Sequence, residues 1–335
     1  MGGIWCERQE LVSIIEELAG HKAGLALSTR ELISHLPGHE KYLSGSPDET
    51  IRIRSEELDR MGRELLYSLG ALSSRGRSIV PSIEFSAKYR DDPRKTEIVN
   101  ALYDESFENV KRHLLANGMN AGPIDITAPT KAVRDRFGHE ASLIILDWLD
   151  MVTEHVQGSV TSSFRRVEWR NVEELTTLFN SENASPVHGR YIDQRFVDYL
   201  ERNTHALDGM HWRNFERLAA EYLKREGYEV ELGEGGNDDG VDIRAWRANA
   251  DVSKTPMMLV QCKRQKKKVG KAIVKALWTD VEFAGAEKGL LVTTSALEPG
   301  AAKVCIARRY NIEEANRKTV ETWLKTLRTP GTGAG

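Results

Sequence analysis

The sequence predicts an α/β protein. A mixed-sheet domain flanked by helices lies at the C-terminal end, behind a mainly helical N-terminal region. Three observations predict it. From Met210 onward helical and strand patterns alternate. A strand at 257–263 (MMLVQCK), a helix at 270–285 and an apolar strand at 289–294 (GLLVTT) form the crossover that joins parallel strands. Before Met210, apolar residues recur mainly at helical spacing. The 335 residues suit about two domains of roughly 100–200 residues each, and 40% hydrophobic with 29% charged residues is ordinary for a globular chain.

The elements divide into three stretches. Residues 1–86 read as a helical module. Leu11, Ile14, Ile15 and Leu18 mark a first helix; Ser28 or Thr29 caps a second that Pro37-Gly38 ends; 47–70 gives a third through Leu58, Met61, Leu65, Leu66 and Leu69. A turn and strand over 73–86 would follow, an order compatible with a winged helix and with many other small helical folds. Residues 87–204 form a helical region and linker, with helices at 91–118, 129–156 and 192–202 and a linker at 181–190; 158–180 has no clear pattern. Residues 205–330 form the α/β domain. Its helix at 211–226 stops at Gly227, and strands follow at 228–232 and 241–246 around a loop rich in Gly, Asn and Asp. After the crossover, helices are predicted at 299–309 and 312–327.

Composition excludes several classes. No stretch approaches the ~18 apolar residues of a membrane helix, and the best candidate, 141–149, contains Asp147. The N-terminus shows no basic region followed by an apolar block. Cys6, Cys262 and Cys305 are far apart, with no CxxC pair, which fits a reducing cytoplasm and gives no zinc signature. The net charge of −3 is unevenly spread: residues 1–204 carry 25 Lys/Arg against 32 Asp/Glu, and residues 205–335 carry 22 against 18. Residues 263–275 hold seven Lys/Arg and no acid, a local positive cluster.

Four polar side chains carry the chemical interest. Asp242 follows the Gly/Asp-rich loop at the start of a strand. Gln261 and Lys263, two apart on the next strand, share a face, while Cys262 points to the other. Glu216 lies on the preceding helix beside its apolar stripe. If the two strands are neighbours, a carboxylate, an amide oxygen and a lysine meet. Oxygen donors of this kind suit Mg²⁺, which polarises a phosphodiester and acidifies bound water. A nearby lysine orients that water or stabilises the transition state. Arg264, Lys266, Lys267 and Lys268 would neutralise a polyanion. Taken singly each residue has a plainer use: Asp242 as a turn residue, Glu216 as helix surface, KRQKKK as a solvated loop, Ser295 as a turn cap.

Together the runs FERLAAEYLKREGYEVEL, GGNDDGVDIRA, LVQCKRQ and KGLLVTTSAL resemble the catalytic domain of Mrr-like restriction endonucleases, in the PD-(D/E)xK nuclease superfamily. The resemblance covers roughly 205–327. It implies a restriction-endonuclease-like fold and a metal-dependent endonuclease acting on DNA. Asp242 matches the metal-binding aspartate, Lys263 the catalytic lysine and Glu216 the helix glutamate. Gln261 stands where most of the superfamily has Asp or Glu and this branch has Gln. The Cys262 carbonyl is expected at the metal. Mg²⁺, with Mn²⁺ as a substitute, is the implied cofactor, although Gln in place of an acid weakens the hold and puts a second metal in doubt. Thr294 and Ser295 are candidate phosphate contacts.

The implied role is defence against foreign or modified DNA, of type IV restriction character. Two alternatives stand beside it: a partner- or signal-activated nuclease subunit of a multi-protein defence system, and a non-cutting DNA-binding module on the same fold. A duplex cut needs two active sites, so a homodimer or higher homo-oligomer is expected, in the cytoplasm and without a membrane partner.

Overall fold

The computed structural model describes residues 3–75, 81–118, 124–180, 186, 189–235 and 240–328. Two compact units result: Met1–Ser74 with Arg165–Gly335, and Arg75–Phe164. The first 74 residues therefore share a unit with the C-terminal α/β domain, a grouping the contiguous three-part division does not contain.

The first unit begins with β1 (Gly3–Glu7), α1 (Arg8–Ala23), β2 (Leu25–Ala26), α2 (Thr29–His35), α3 (Glu40–Leu43), β3 (Thr50–Arg54) and α4 (Ser55–Ser68). Helix α1 buries Leu11, Ile15 and Leu18 and ends at Gly24, whose φ of 68° is left-handed. Ser28 caps α2 in a reciprocal box: its Oγ accepts from the Glu31 N–H, and the Glu31 carboxylate accepts from the Ser28 N–H. The helix expected over 47–70 starts only at Ser55, because Thr50–Arg54 (TIRIR) alternates as a strand. It pairs antiparallel with β1 and buries Ile53 completely. This ribbon precedes the long helix, so the order of a winged helix is not reproduced.

The second unit holds α5 (Pro81–Tyr89), α6 (Pro93–Asn117), α7 (Thr127–Phe137) and α8 (His139–Gly158) around Phe85, Ile98, Leu102, Val133 and Ile144. Two expectations are corrected here. Where described, the strand expected over 73–86 is the helix α5, with Pro81 in its first turn and Phe85 driven into the core; residues 76–80 lie outside the described residues. The single helix at 129–156 is two helices, broken at Gly138 with φ 73°.

The chain then returns to the first unit through β4 (Glu173–Glu174), which pairs parallel with β2, and α9 (Thr177–Asn180), so the unclassified 158–180 stretch is ordered around two short elements. Most of the 181–190 linker lies outside the described residues. Helix α10 (Gln194–Arg202) and a 3₁₀ turn (Thr204–Asp208) lead into α11 (Trp212–Arg225), β5 (Glu229–Leu232), β6 (Ile243–Trp246), β7 (Met258–Lys263), α12 (Lys271–Ala284), β8 (Lys288–Thr293), α13 (Pro299–Arg308), β9 (Ile312–Ala315) and α14 (Arg317–Leu327). The sheet order is β5-β6-β7-β8-β9, antiparallel from β5 to β7 and parallel from β7 to β9. This is the mixed α/β core the sequence predicts. Leu259 and Leu291 pack with Val274, Leu277 and Val281 of α12 on one face; α11 and α14 cover the other.

The helix expected over 312–327 is a strand followed by a helix. Ile312–Ala315 gains a parallel ladder with β8 despite its two glutamates, and Asn316 then caps α14 by accepting from the Lys318 and Thr319 N–H groups. The N-terminal elements are keyed to this domain. Gly70, at φ 84°, passes so close to α10 that a Cβ there would lie 2.2 Å from the Asp198 carbonyl oxygen. Arg328 Nη2 donates to the Leu72 carbonyl at 2.7 Å, and Asn203 Nδ2 to the Ser68 carbonyl at 2.7 Å. Among the described residues no helix is long and apolar enough to cross a membrane.

Candidate active site

The site forms where β6 stops short of its neighbour. The β6–β7 ladder begins at Ile243 opposite Val260. One residue earlier, Asp242 is held by its main chain: its N–H donates to the Val260 carbonyl at 3.0 Å and its carbonyl accepts from the Gly233 N–H at 2.9 Å. Its side chain then replaces a ladder carbonyl, and Oδ2 accepts the Cys262 N–H at 2.6 Å. The N–H and C=O of one strand residue point to the same side, so the Cys262 carbonyl also opens toward Asp242.

Glu216 reaches this point from α11. It is buried, and Arg213, one turn earlier, donates from Nη1 to its Oε2 at 2.8 Å. The same guanidinium donates to the Gly233 carbonyl, tying the loop after β5 to the helix. Burial pushes the Glu216 pKa up to about 7; the adjacent Asp242, to which it is hydrogen-bonded, pushes the same way, and Arg213 opposes. Two buried carboxyl groups thus share one place, and Glu216 is the harder to ionise for it.

Gln261 is buried, and its Oε1 has no hydrogen-bond partner. A Cβ on Gly240, whose φ is 87°, would come within 3.2 Å of the Gln261 amide nitrogen, so glycine leaves room for that side chain. Lys263 lies two residues on, half-buried, and its side chain makes no hydrogen bond or ion pair with another described residue. Its carbonyl is fixed by Thr293 Oγ1 at 2.7 Å. The Cys262 thiol is buried, and burial, followed by Asp242 and Glu216, pushes its pKa well above the ordinary value, which makes it packing.

The donor chemistry fits a hard divalent cation. Two facing carboxyls, one with a raised pKa, and an orphaned amide oxygen are oxygen donors short of a positive charge. Among the described residues no group of three or more His, Cys, Asp and Glu could hold a metal, so a cation here would also need the Gln261 amide and a main-chain oxygen.

The basic and hydroxyl residues separate into two groups. Lys266, Lys267 and Lys268 are exposed on the loop between β7 and α12. Arg264 is turned inward: Nη1 donates to the Asp208 carbonyl at 2.7 Å. Thr294 is buried, its Oγ1 accepting from the Gln265 N–H at 3.0 Å and donating to the Gln265 carbonyl at 3.2 Å. Ser295 Oγ donates to the Lys266 carbonyl at 3.3 Å. Thr294 and Ser295 brace the basic loop from beneath, and Arg264 ties its start to the 3₁₀ turn. Residues 236–239 of the Gly/Asp-rich loop lie outside the described residues.

Sequence reasoning missed Arg213, whose signal was its i,i+3 spacing to Glu216. It also missed Arg317, which reaches back from α14 to Asp208 at 2.6 Å and to the Thr294 carbonyl at 3.3 Å. That contact spans more than a hundred residues and has no local signature.

A mixed sheet between helices carries Asp242, Glu216 and the Gln261 amide at the end of its antiparallel half. The residues agree with a known family: the family model described as restriction endonuclease, the Mrr-type catalytic domain, matches residues 207–324. The C-terminal domain is therefore a restriction-endonuclease domain, consistent with an Mrr-like PD-(D/E)xK nuclease, a class that acts on DNA and typically uses divalent metals. No curated protein matches the chain.

Proposed function

We propose that the protein is a divalent-metal-dependent DNA endonuclease, using Mg²⁺ with Mn²⁺ as a substitute, that restricts foreign or modified DNA in the manner of type IV enzymes. The observation that carries this reading is the pairing of Asp242 with Glu216 beside the unsatisfied oxygen of Gln261. Asp242, Glu216, Gln261 and the Cys262 carbonyl would hold the cation. A cation bound there supplies Lewis acidity to the scissile phosphate and lowers the pKa of a bound water.

The other steps belong to the chain. Arg213 holds Glu216 in place and loses nothing when Glu216 ionises. The Cys262 amide holds Asp242 in one rotamer. Lys263, free of ion pairs with described residues, donates hydrogen bonds to the attacking water or to a phosphoryl oxygen as negative charge grows there. Hydrolysis joins the water oxygen to phosphorus, breaks one P–O ester bond and delivers a proton to the departing sugar oxygen. Lys266, Lys267 and Lys268 contact the flanking phosphates. Cutting both strands brings two copies of the domain together, so a homo-oligomer is part of the reading.

The test is cleavage of unmodified and methylated plasmid by the purified protein with Mg²⁺ or EDTA, beside Asp242→Ala. Cleavage that needs both Mg²⁺ and Asp242 is expected. Cleavage that survives Asp242→Ala would remove the site, and no cleavage of any substrate would favour a partner-activated or non-cutting protein.

A further inference from the structure

A second basic site lies in the N-terminal part of the first unit. Lys41, Tyr42, Arg52, Arg54, Glu57 and Arg60 line one cavity of about 470 Å³. It stands out because residues 1–204 carry an excess of acid, 32 against 25 Lys/Arg. Arg60 pairs with Glu57, and the other three cations around the space repel each other unless water or an anion screens them.

The ribbon builds the site. Ile53 is wholly buried, so the strand's alternation sends Arg52 and Arg54 together to the outer side. Trp5, opposite Arg52 in the β1–β3 register, is 67% exposed, and the Arg52 guanidinium lies over its ring at 5.9 Å. Lys41 lies over Tyr42 at 4.6 Å. Glu57 is the one acid in the lining. It is paired with Arg60, and His39 Nδ1 lies 3.2 Å from its other oxygen. Lys41, Arg52 and Arg54 make no ion pair with a described residue. Unpaired cations beside the exposed Trp5 and the half-buried Tyr42 form a surface suited to the phosphates of a nucleic acid.

We propose that this cavity and the β1–β3 ribbon bind the phosphodiester backbone of DNA, forming a second contact with the substrate of the C-terminal domain. The substrate class rests on the nuclease reading above; the site itself rests on its own residues. The close packing of Gly70 on α10 and the Arg328–Leu72 contact keep this module keyed to the nuclease domain, so both contacts belong to one unit.

The test is fluorescence anisotropy of a labelled duplex DNA with the full chain in EDTA, over a range of salt. Arg52→Gln/Arg54→Gln should weaken binding roughly tenfold and lower the slope of log K against log salt by about two. Arg52→Lys/Arg54→Lys, which keeps the charge, should bind within about threefold of wild type; this variant and an unchanged thermal melt separate lost contacts from lost fold. Unchanged affinity and slope in the Gln variant would overturn the assignment. Plasmid cleavage is read in parallel. A wild type that binds through Arg52 and Arg54 but never cuts removes the nuclease reading alone. One that cuts, with the Gln variant binding normally, removes this assignment alone.

Discussion

Two buried charged centres in the same unit are built in opposite ways. Around Arg195 every charge is answered. Its Nε and Nη2 donate to the two Asp193 oxygens at 2.8 and 2.9 Å, its Nη1 donates to the Gly24 and Asn171 carbonyls at 2.9 and 2.8 Å, and its guanidinium lies over Trp169. Around Asp242 the bonding does not close: two carboxyls face each other with Arg213 bonded to one of them, and the Gln261 oxygen has no partner. A structural ion pair closes its hydrogen bonds, because an unpaired buried charge costs several kcal/mol. A centre that stays open keeps that cost for a ligand that can relieve it.

The largest effect that would sharpen this contrast is on chemistry. Lys263→Ala should lower cleavage by about a thousandfold or more, roughly 4 kcal/mol, and leave DNA binding in EDTA within a few-fold of wild type. Wild-type cleavage by that variant would break the assignment. On the other side, Arg195→Ala should cost about 3–5 kcal/mol in a denaturant titration, because Asp193 is then buried without its partner. A cost under 1 kcal/mol would show that the Arg195 centre is not the closed structural pair it is taken to be.

The next effect is smaller and depends on pH. Glu216 has its pKa raised to about 7 from an ordinary 4.5. The folded protein therefore keeps a proton that the unfolded chain releases, so in EDTA stability falls as pH rises from about 4.5 to about 7 and is level above that. The loss is on the order of 3 kcal/mol. Glu216→Gln should remove it and make the variant the more stable protein at pH 8. An unchanged pH profile in Glu216→Gln would assign the dependence to another group.

The C-terminal fold was legible because its period changes are sharp: MMLVQCK and GLLVTT are too apolar and too short for anything but central strands. The candidate site was legible because Gln261 and Lys263 sit two apart on one of those strands and Asp242 opens the adjacent one. What the sequence hid depends on partners far away. Thr50–Arg54 is a strand because β1, more than forty residues earlier, pairs with it. Ile312–Ala315 is a strand because β8 offers it an edge, although Glu313 and Glu314 read locally as helix. The inward turn of Arg264 toward Asp208 likewise answers to a residue fifty-six positions away. Its place in a run of cations made it look like its exposed neighbours.

The most direct test of the account is cation binding itself. Calorimetric titration of the full chain with Mn²⁺ at pH 8 should show saturable binding that Asp242→Asn weakens about a hundredfold. It should also release protons when repeated near pH 7, where Glu216 must ionise. Equal affinity in wild type and Asp242→Asn would contradict the claim that the open carboxylate centre is where the metal is held.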